Sequence, residues 1–275
     1  MSQRLPEAAW DMSPDPGLDI RDDAASGWVF GTPPGIKPEQ WPLSPNTGYP
    51  MQHGFTLLLP EDYRVRGEGI VAIAFFGEPP EHSKGSPKIN EGARDLVLGL
   101  EEPDDDHPPS RLLVEHAQQA HPRLHRFEDI LEGAFAIIDL TQEDFDGPLC
   151  PLPDLCAHEM FEDLERPRFA GTDARAPEAI RLTRRENDPN VGLVPIESAD
   201  EEDDYEDRFD EETCDLKEWA TKLGENHIGG TAQPFQAYPE LSPFYIEFSE
   251  DFGDFNFGEG NAQLCLKTLT FDWAC

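Results

Sequence analysis

Several short segments carry side chains whose types and spacing could do chemistry. His158 to Glu162 (HEMFE) is one residue away from H-E-x-x-H, in which two histidines four apart share a helix face and bind one zinc ion. Glu162 stands where the second histidine would be. A carboxylate can ligate zinc, but no further ligand is evident, and an ordinary exposed helix turn explains the segment as well. Cys150, Cys156 and His158 (CPLPDLCAH) offer a second metal-type set, yet a C-x5-C spacing is not one of the common zinc knuckles and the two prolines suit a rigid loop. His116, His121 and His125 lie close together, but Pro122 breaks the helix that would align them, so they read as surface or core histidines. Asp251, Asp254, Asn256 and Glu259 in DFGDFNFGEGN could ring a cation, but the register of a calcium loop is absent and a glycine-rich hairpin turn explains the residues. G-x-S-x-G, G-x-x-x-x-G-K-[ST] and G-x-G-x-x-G do not occur. The sequence therefore assigns no catalytic residue, no metal and no cofactor.

Binding chemistry is better represented. From Asp200 to Glu212 ten of thirteen residues are acidic, and Tyr205 and Phe209 sit four apart among them. A run of like charge is usually a solvated segment or an interaction tail. This one is internal and carries aromatic residues, so the expectation is a partner-binding element made of Asp200, Glu201, Glu202, Asp203, Asp204, Tyr205, Glu206, Asp207, Phe209 and Asp210. In it the carboxylates would steer a basic partner and the two rings would anchor it. A solvated loop is the alternative.

The whole chain points the same way. Its 275 residues hold 57 Asp and Glu against 21 Lys and Arg, a formal net charge of -36, while 37% hydrophobic residues suffice for a core. The acid is clustered, at Glu101 to Asp106, at Asp200 to Glu212 and at Glu250 to Asp254, which favours complementarity to a basic protein over an evenly acidified high-salt surface. Nucleic acid and anionic membranes would be repelled. The first residues lack an apolar signal-peptide core, no stretch of about 18 apolar residues occurs, and the odd number of cysteines, 5, reads as reduced thiols. The expected location is the cytosol.

What must position these residues is a sheet. FTLLL (55–59), IVAIAFF (70–76), AFAIIDL (134–140), FYIEF (244–248) and QLCLKTLTF (263–271) have strand lengths and turn signals at their ends, and a weaker strand lies near Ile180 to Thr183. Helices are expected at Gly92 to Leu100, in SRLLVEHAQQA capped by Ser110, in RFEDILEG closed by Gly133, and above all at 215–224, where Leu216, Trp219, Ala220 and Leu223 follow helical spacing. The expected fold is thus α+β, a mixed central sheet from two pseudo-repeated halves with helices packed on it. Residues 1–27 would be an extended lead-in. A single globular domain would cover 28–275, its halves at about 28–140 and 215–275 joined by a long Pro- and Asp-rich connection.

The halves share a layout. Gly31 to Pro60 and Gly229 to Asp254 each open on glycine and proline, pass Trp41-Pro42 or Tyr238-Pro239, and end in an apolar strand. With Pro34, Gly48 to Pro50, Gly229-Gly230, Gln236 and Phe252-Gly253-Asp254, these segments resemble the YwqG-like family of bacterial proteins of uncharacterised function. Departures from the family pattern are the spacing at Gln233-Pro234, Phe252 in place of Trp, and the acidic insertion between the halves. Genes of that family often lie beside polymorphic toxins. The resemblance and the charge together imply an immunity protein that neutralises a basic antibacterial toxin. An acid-surfaced housekeeping protein or enzyme, or a small-ligand or metal-binding module, would be the alternatives.

Overall fold

The computed structural model describes residues 4–78, 93–102, 108–129, 131–153, 175–196, 204–210 and 212–275. Eleven strands form one antiparallel sheet that curls into a nearly closed barrel. In chain order they are β1 (Trp10–Pro14), β2 (Gly27–Val29), β3 (Gln52–Leu58), β4 (Ile70–Gly77), β5 (Leu124–Glu128), β6 (Ala134–Thr141), β7 (Glu178–Arg184), β8 (His227–Ile228), β9 (Tyr245–Ser249), β10 (Asn261–Cys265) and β11 (Phe271–Ala274). In space the order is β11-β10-β9-β8-β1-β7-β2-β3-β4-β6-β5. Outward from the β1–β7 pair it runs β8, β9, β10 on one side and β2, β3, β4 on the other.

The α+β expectation with helices packed on a mixed sheet is overturned: among the described residues there are only three short α-helices, α1 (Ala93–Val97), α2 (Pro108–Gln118) and α3 (Gln142–Phe145), and every strand pairing is antiparallel. Two segments account for much of the difference. Past Pro122 the chain is extended, and Leu124 to Glu128 pairs along β6 where a helix was expected, because Phe127 then reaches the core. The helix expected at 215–224 is a single 3-10 turn, Glu218–Lys222, of which only Ala220 is fully buried. The residues before it are used otherwise: Phe209 bridges Leu216, and the Lys217 N–H donates to the Arg208 carbonyl, closing a tight loop. Residues 10–14, expected within a lead-in, lie at the middle of the sheet between β7 and β8.

Strand alternation sorts the side chains. Phe55, Leu57, Ile73, Phe75, Phe135, Ile137, Ile246, Phe248 and Leu264 point inward into one core, while Ala72, Ala74, Phe76, Ala136 and Ile138 point outward into another. An eleven-stranded wall encloses more space than aliphatic side chains fill, and phenylalanine occupies it. Phe252, Phe255 and Phe257, from the loop between β9 and β10, plug the interior. The outer core is covered by a loop: Ile36, Trp41 and Met51 lie over Phe76, with the Trp41 indole donating to the Met51 carbonyl at 2.7 Å. α1 and α2 pack beyond it on Leu43 and Tyr49.

The two edge strands meet without hydrogen-bonded pairing. Phe271 of β11 packs on Phe127 of β5 and Phe135 of β6, with ring centroids 5.3 and 4.4 Å apart, and the Trp273 indole donates to Asp129 at 2.5 Å. At one end the buried Asp139 receives a two-pronged bond from Arg66, at 3.0 and 3.2 Å, while Arg66 also donates to the carbonyl of Leu266 after β10.

A bulge in β3 between His53 and Phe55 turns His53 outward against Phe76 while Phe55 stays inside on Phe75. Its ring is held by the Gly31 carbonyl at 3.2 Å and the Thr56 hydroxyl at 2.9 Å. Burial pushes this imidazole down to about 3, with the neighbouring carbonyls opposing the shift. In the unfolded chain it protonates near the ordinary value of about 6.5. Its contribution is therefore complete above that pH, falls by about 1.4 kcal/mol per pH unit below it, and is lost beneath pH 3 or so. Urea unfolding between pH 7 and 4 should show His53→Gln lacking this slope; a parallel pH dependence in the variant would refute the assignment.

Candidate functional site

The acid run does not stand alone as a tail. Asp200, Glu201, Glu202 and Asp203 lie outside the described residues, as do Cys156, His158 and Glu162. From Asp204 onward the run is fixed to the barrel. Tyr205 is buried, its hydroxyl accepting the Ala232 N–H at 3.0 Å, and the Glu206 backbone exchanges two bonds with the Asn190 amide at 2.7 and 2.8 Å. Tyr205 thus supports the site from within and is not a surface anchor. Asp210 caps its own turn, accepting from the N–H groups of Glu212 and Thr213, which lowers its carboxyl below the usual range. Asp204, Glu206, Asp207 and Phe209 are exposed.

What the fold places beside Phe209 could not be read from spacing. The Arg208 guanidinium lies over the Phe209 ring, 4.8 Å from its centroid, and donates to the Gln233 side chain at 3.1 Å. Gln233 leads into Phe235, which is 61% exposed, against 40% for Phe209, a level unusual for so large an apolar ring. Beside Arg208 and Phe235 opens a cleft of about 470 Å³, also lined by Glu225, Glu250, Asp251 and Glu259. Glu250 is used structurally, accepting from the N–H groups of Phe257 and Glu259 at 2.9 Å each. Glu225, Asp251 and Glu259 are exposed carboxylates on its lining. The signal available in the sequence was the separate acidic cluster at Glu250 to Asp254; nothing marked Phe235.

The cleft stands on a buried polar layer. Glu247, fully buried, accepts from the Gln233 N–H at 2.9 Å and the Asn261 amide at 3.1 Å, with His227 beside it at 3.4 Å. A second polar centre joins β1, β7 and the segment before β9. Arg185, 1% exposed, donates to Asp11 at 2.6 Å, to Asp188 at 3.2 Å and to the carbonyls of Gly224 and Thr231 at 2.7 and 3.2 Å. Asp188 also accepts from the Thr231 and Asn190 N–H groups. The Arg185 centre thus ties β1 to the segments on either side of it. A further cleft of about 550 Å³ beside them is lined by both signs of charge, with Arg184 and Lys222 facing Glu186 and Glu218.

The other candidate sets are not brought together. His116 meets the Trp41 carbonyl, His121 is buried beside Arg123, and His125 bonds Asp139 at 2.9 Å. Cys150 is buried, its thiol pushed up to about 12 by that burial. In the 251–259 loop the phenylalanines turn inward and Asp251, Asn256 and Glu259 outward, with Asp254 near Arg175. Among the described residues no three of His, Cys, Asp and Glu converge as metal ligands, and no helix is long and apolar enough to cross a membrane. No protein-family model, curated protein or solved structure matches the chain.

Proposed function

We propose that the chain is an immunity-type binding protein that captures a basic antibacterial toxin, one whose cleft holds phosphates with Lys and Arg, and blocks it. The observation that carries this reading is two exposed rings, Phe209 and Phe235, linked through Arg208 and Gln233 among exposed carboxylates in a chain of net charge -36. Aromatic anchors ringed by polar groups are the usual centre of a tight interface, and a field of this sign accelerates encounter with a cationic protein. Speed matters when an intruding enzyme must be stopped before it turns over.

The test is co-expression with the product of an adjacent gene that arrests growth when expressed alone. Growth should recover and the two proteins should co-elute; unrestored growth with no complex overturns the reading. Within such a complex, Phe209→Ala with Phe235→Ala should speed dissociation by roughly thirtyfold, about 2 kcal/mol. Neutralising Asp204, Glu206, Asp207, Glu225, Asp251 and Glu259 should instead slow association at low salt and flatten its ionic-strength dependence. Binding kinetics unchanged by both sets would remove this face from the interface.

A further inference from the structure

A third cleft, at the β5 edge of the sheet, holds two arginines. It has a volume of about 310 Å³ and lies where β5 and β6 meet α1, lined by Pro45, Arg94, Leu98, Arg126, Glu128 and Ala134 among others. Two guanidiniums in one small cleft stand out in a chain with 57 acidic residues. One is already occupied: Arg94 pairs with Glu128 and donates to the Asn46 amide oxygen at 3.3 Å. Arg126 is not. Its Nε–H is buried without an acceptor, its sole hydrogen bond is a long one, 3.5 Å, from Nη2 to the Leu43 carbonyl, and it has no carboxylate partner among the described residues. Burial pushes this guanidinium down to about 10, so it remains charged at neutral pH.

A desolvated cation left without a counter-charge is costly, and chains with abundant carboxylates ordinarily supply one. Here the fold places hydrophobic walls around it instead. Leu98, itself 37% exposed, Pro45 and Ala134 line the cleft beside it, and the Glu128 carboxylate in the lining is held by Arg94. The Nη end of the Arg126 guanidinium is a planar fork that matches the two oxygens of a carboxylate. We propose that Arg126, assisted by Arg94, forms a binding site for a small organic carboxylate with an apolar body. The acid would take the fork while its body lies against Leu98 and Pro45. A cleft of this volume is at the small end of ligand sites, which excludes a nucleotide or a peptide as the occupant. The site uses none of the residues of the Phe209–Phe235 face, so the two readings stand or fall separately.

Sodium benzoate is a suitable probe, with benzamide as its uncharged isostere and inorganic phosphate as a compact anion. All three would be titrated into the full chain by calorimetry and thermal shift at constant ionic strength. The expected result is saturable binding of benzoate with a dose-dependent rise in Tm, none for benzamide, and weaker binding of phosphate. Arg126→Gln should weaken benzoate at least about tenfold, the loss of a charge-assisted bond. Arg126→Lys keeps the charge and the fold but drops the fork, and should weaken it too; this variant carries the test if the glutamine protein does not fold. Absent benzoate binding, equal binding of benzamide, tighter binding of phosphate, or benzoate binding unaltered in both Arg126 variants would each overturn the assignment.

Discussion

Replacing Arg185 with leucine is expected to lower the unfolding free energy by about 3–5 kcal/mol, measured by urea denaturation at pH 7. The side chain is 1% exposed and makes four bonds, two to carboxylates and two to carbonyls. Leucine would fill much of the space but would leave Asp188, whose side chain is 0% exposed, as a buried anion with no cation. Asp188 keeps three neutral donors from Asn190 and Thr231, which soften the loss without supplying charge. Adding Asp188→Asn to Arg185→Leu should therefore recover part of the stability, since the double variant no longer buries an unpaired charge. A loss below about 1 kcal/mol for the single variant, or strict additivity in the pair, would contradict this account.

The second large effect concerns a single hydrogen atom. At Gly54 a methyl group would lie 2.1 Å from the tip of the Phe255 ring, and at Gly77, on the neighbouring strand, 2.8 Å from the side of the same ring. Phe255 occupies that notch, packed at 5.3 Å on Phe75. Gly54→Ala is therefore expected to cost at least 1–3 kcal/mol through overpacking, and Phe255→Ala about 3–5 kcal/mol through the cavity it leaves. In the Phe255→Ala background the same alanine at 54 should be nearly neutral, because the atom it collides with has gone. A cycle of denaturation curves on the four proteins reads the coupling directly, and additive losses would show that the ring is not what requires the glycine.

Phe255 also shows where reading the sequence stops. Long apolar runs announce themselves: 55–59, 70–76 and 134–140 become β3, β4 and β6 because any buried sheet needs them. The same periodicity cannot say that DFGDFNFGEGN folds its phenylalanines into a barrel interior and turns its acids out, since that depends on the size of the enclosed space. At 216–223 the apolar spacing was helical, yet Leu216 is 45% exposed. Spacing states which residues could share a face, and only the tertiary pairing decides whether that face is covered. β1 was hidden for the same reason. WDMSP has little apolar character, and it becomes a strand only because β7 and β8 supply both its ladders.

Of the candidate site, the excess of acid and the position of Phe209 were legible. Tyr205 was not separable from Phe209 in sequence, because an aromatic residue amid carboxylates reads the same whether its ring points in or out. Phe235 and Arg126 carry no local signal. Each is made conspicuous by what the fold fails to place next to it.

The central place of β1 has a consequence for how the protein is made. Its partners are residues 178–184 and 227–228, so this strand leaves the ribosome with both edges open until well over a hundred further residues have followed. At about 5–20 residues per second that interval is on the order of ten seconds or more, during which β1 and β2 hold no pairing with each other. β3, β4 and β6 can zip together during synthesis, but the wall they form stays a half-shell with its phenylalanines uncovered until the C-terminal strands arrive. The net charge of -36 sets such half-formed copies against one another by mutual repulsion, which opposes their aggregation while the aromatic surface is uncovered.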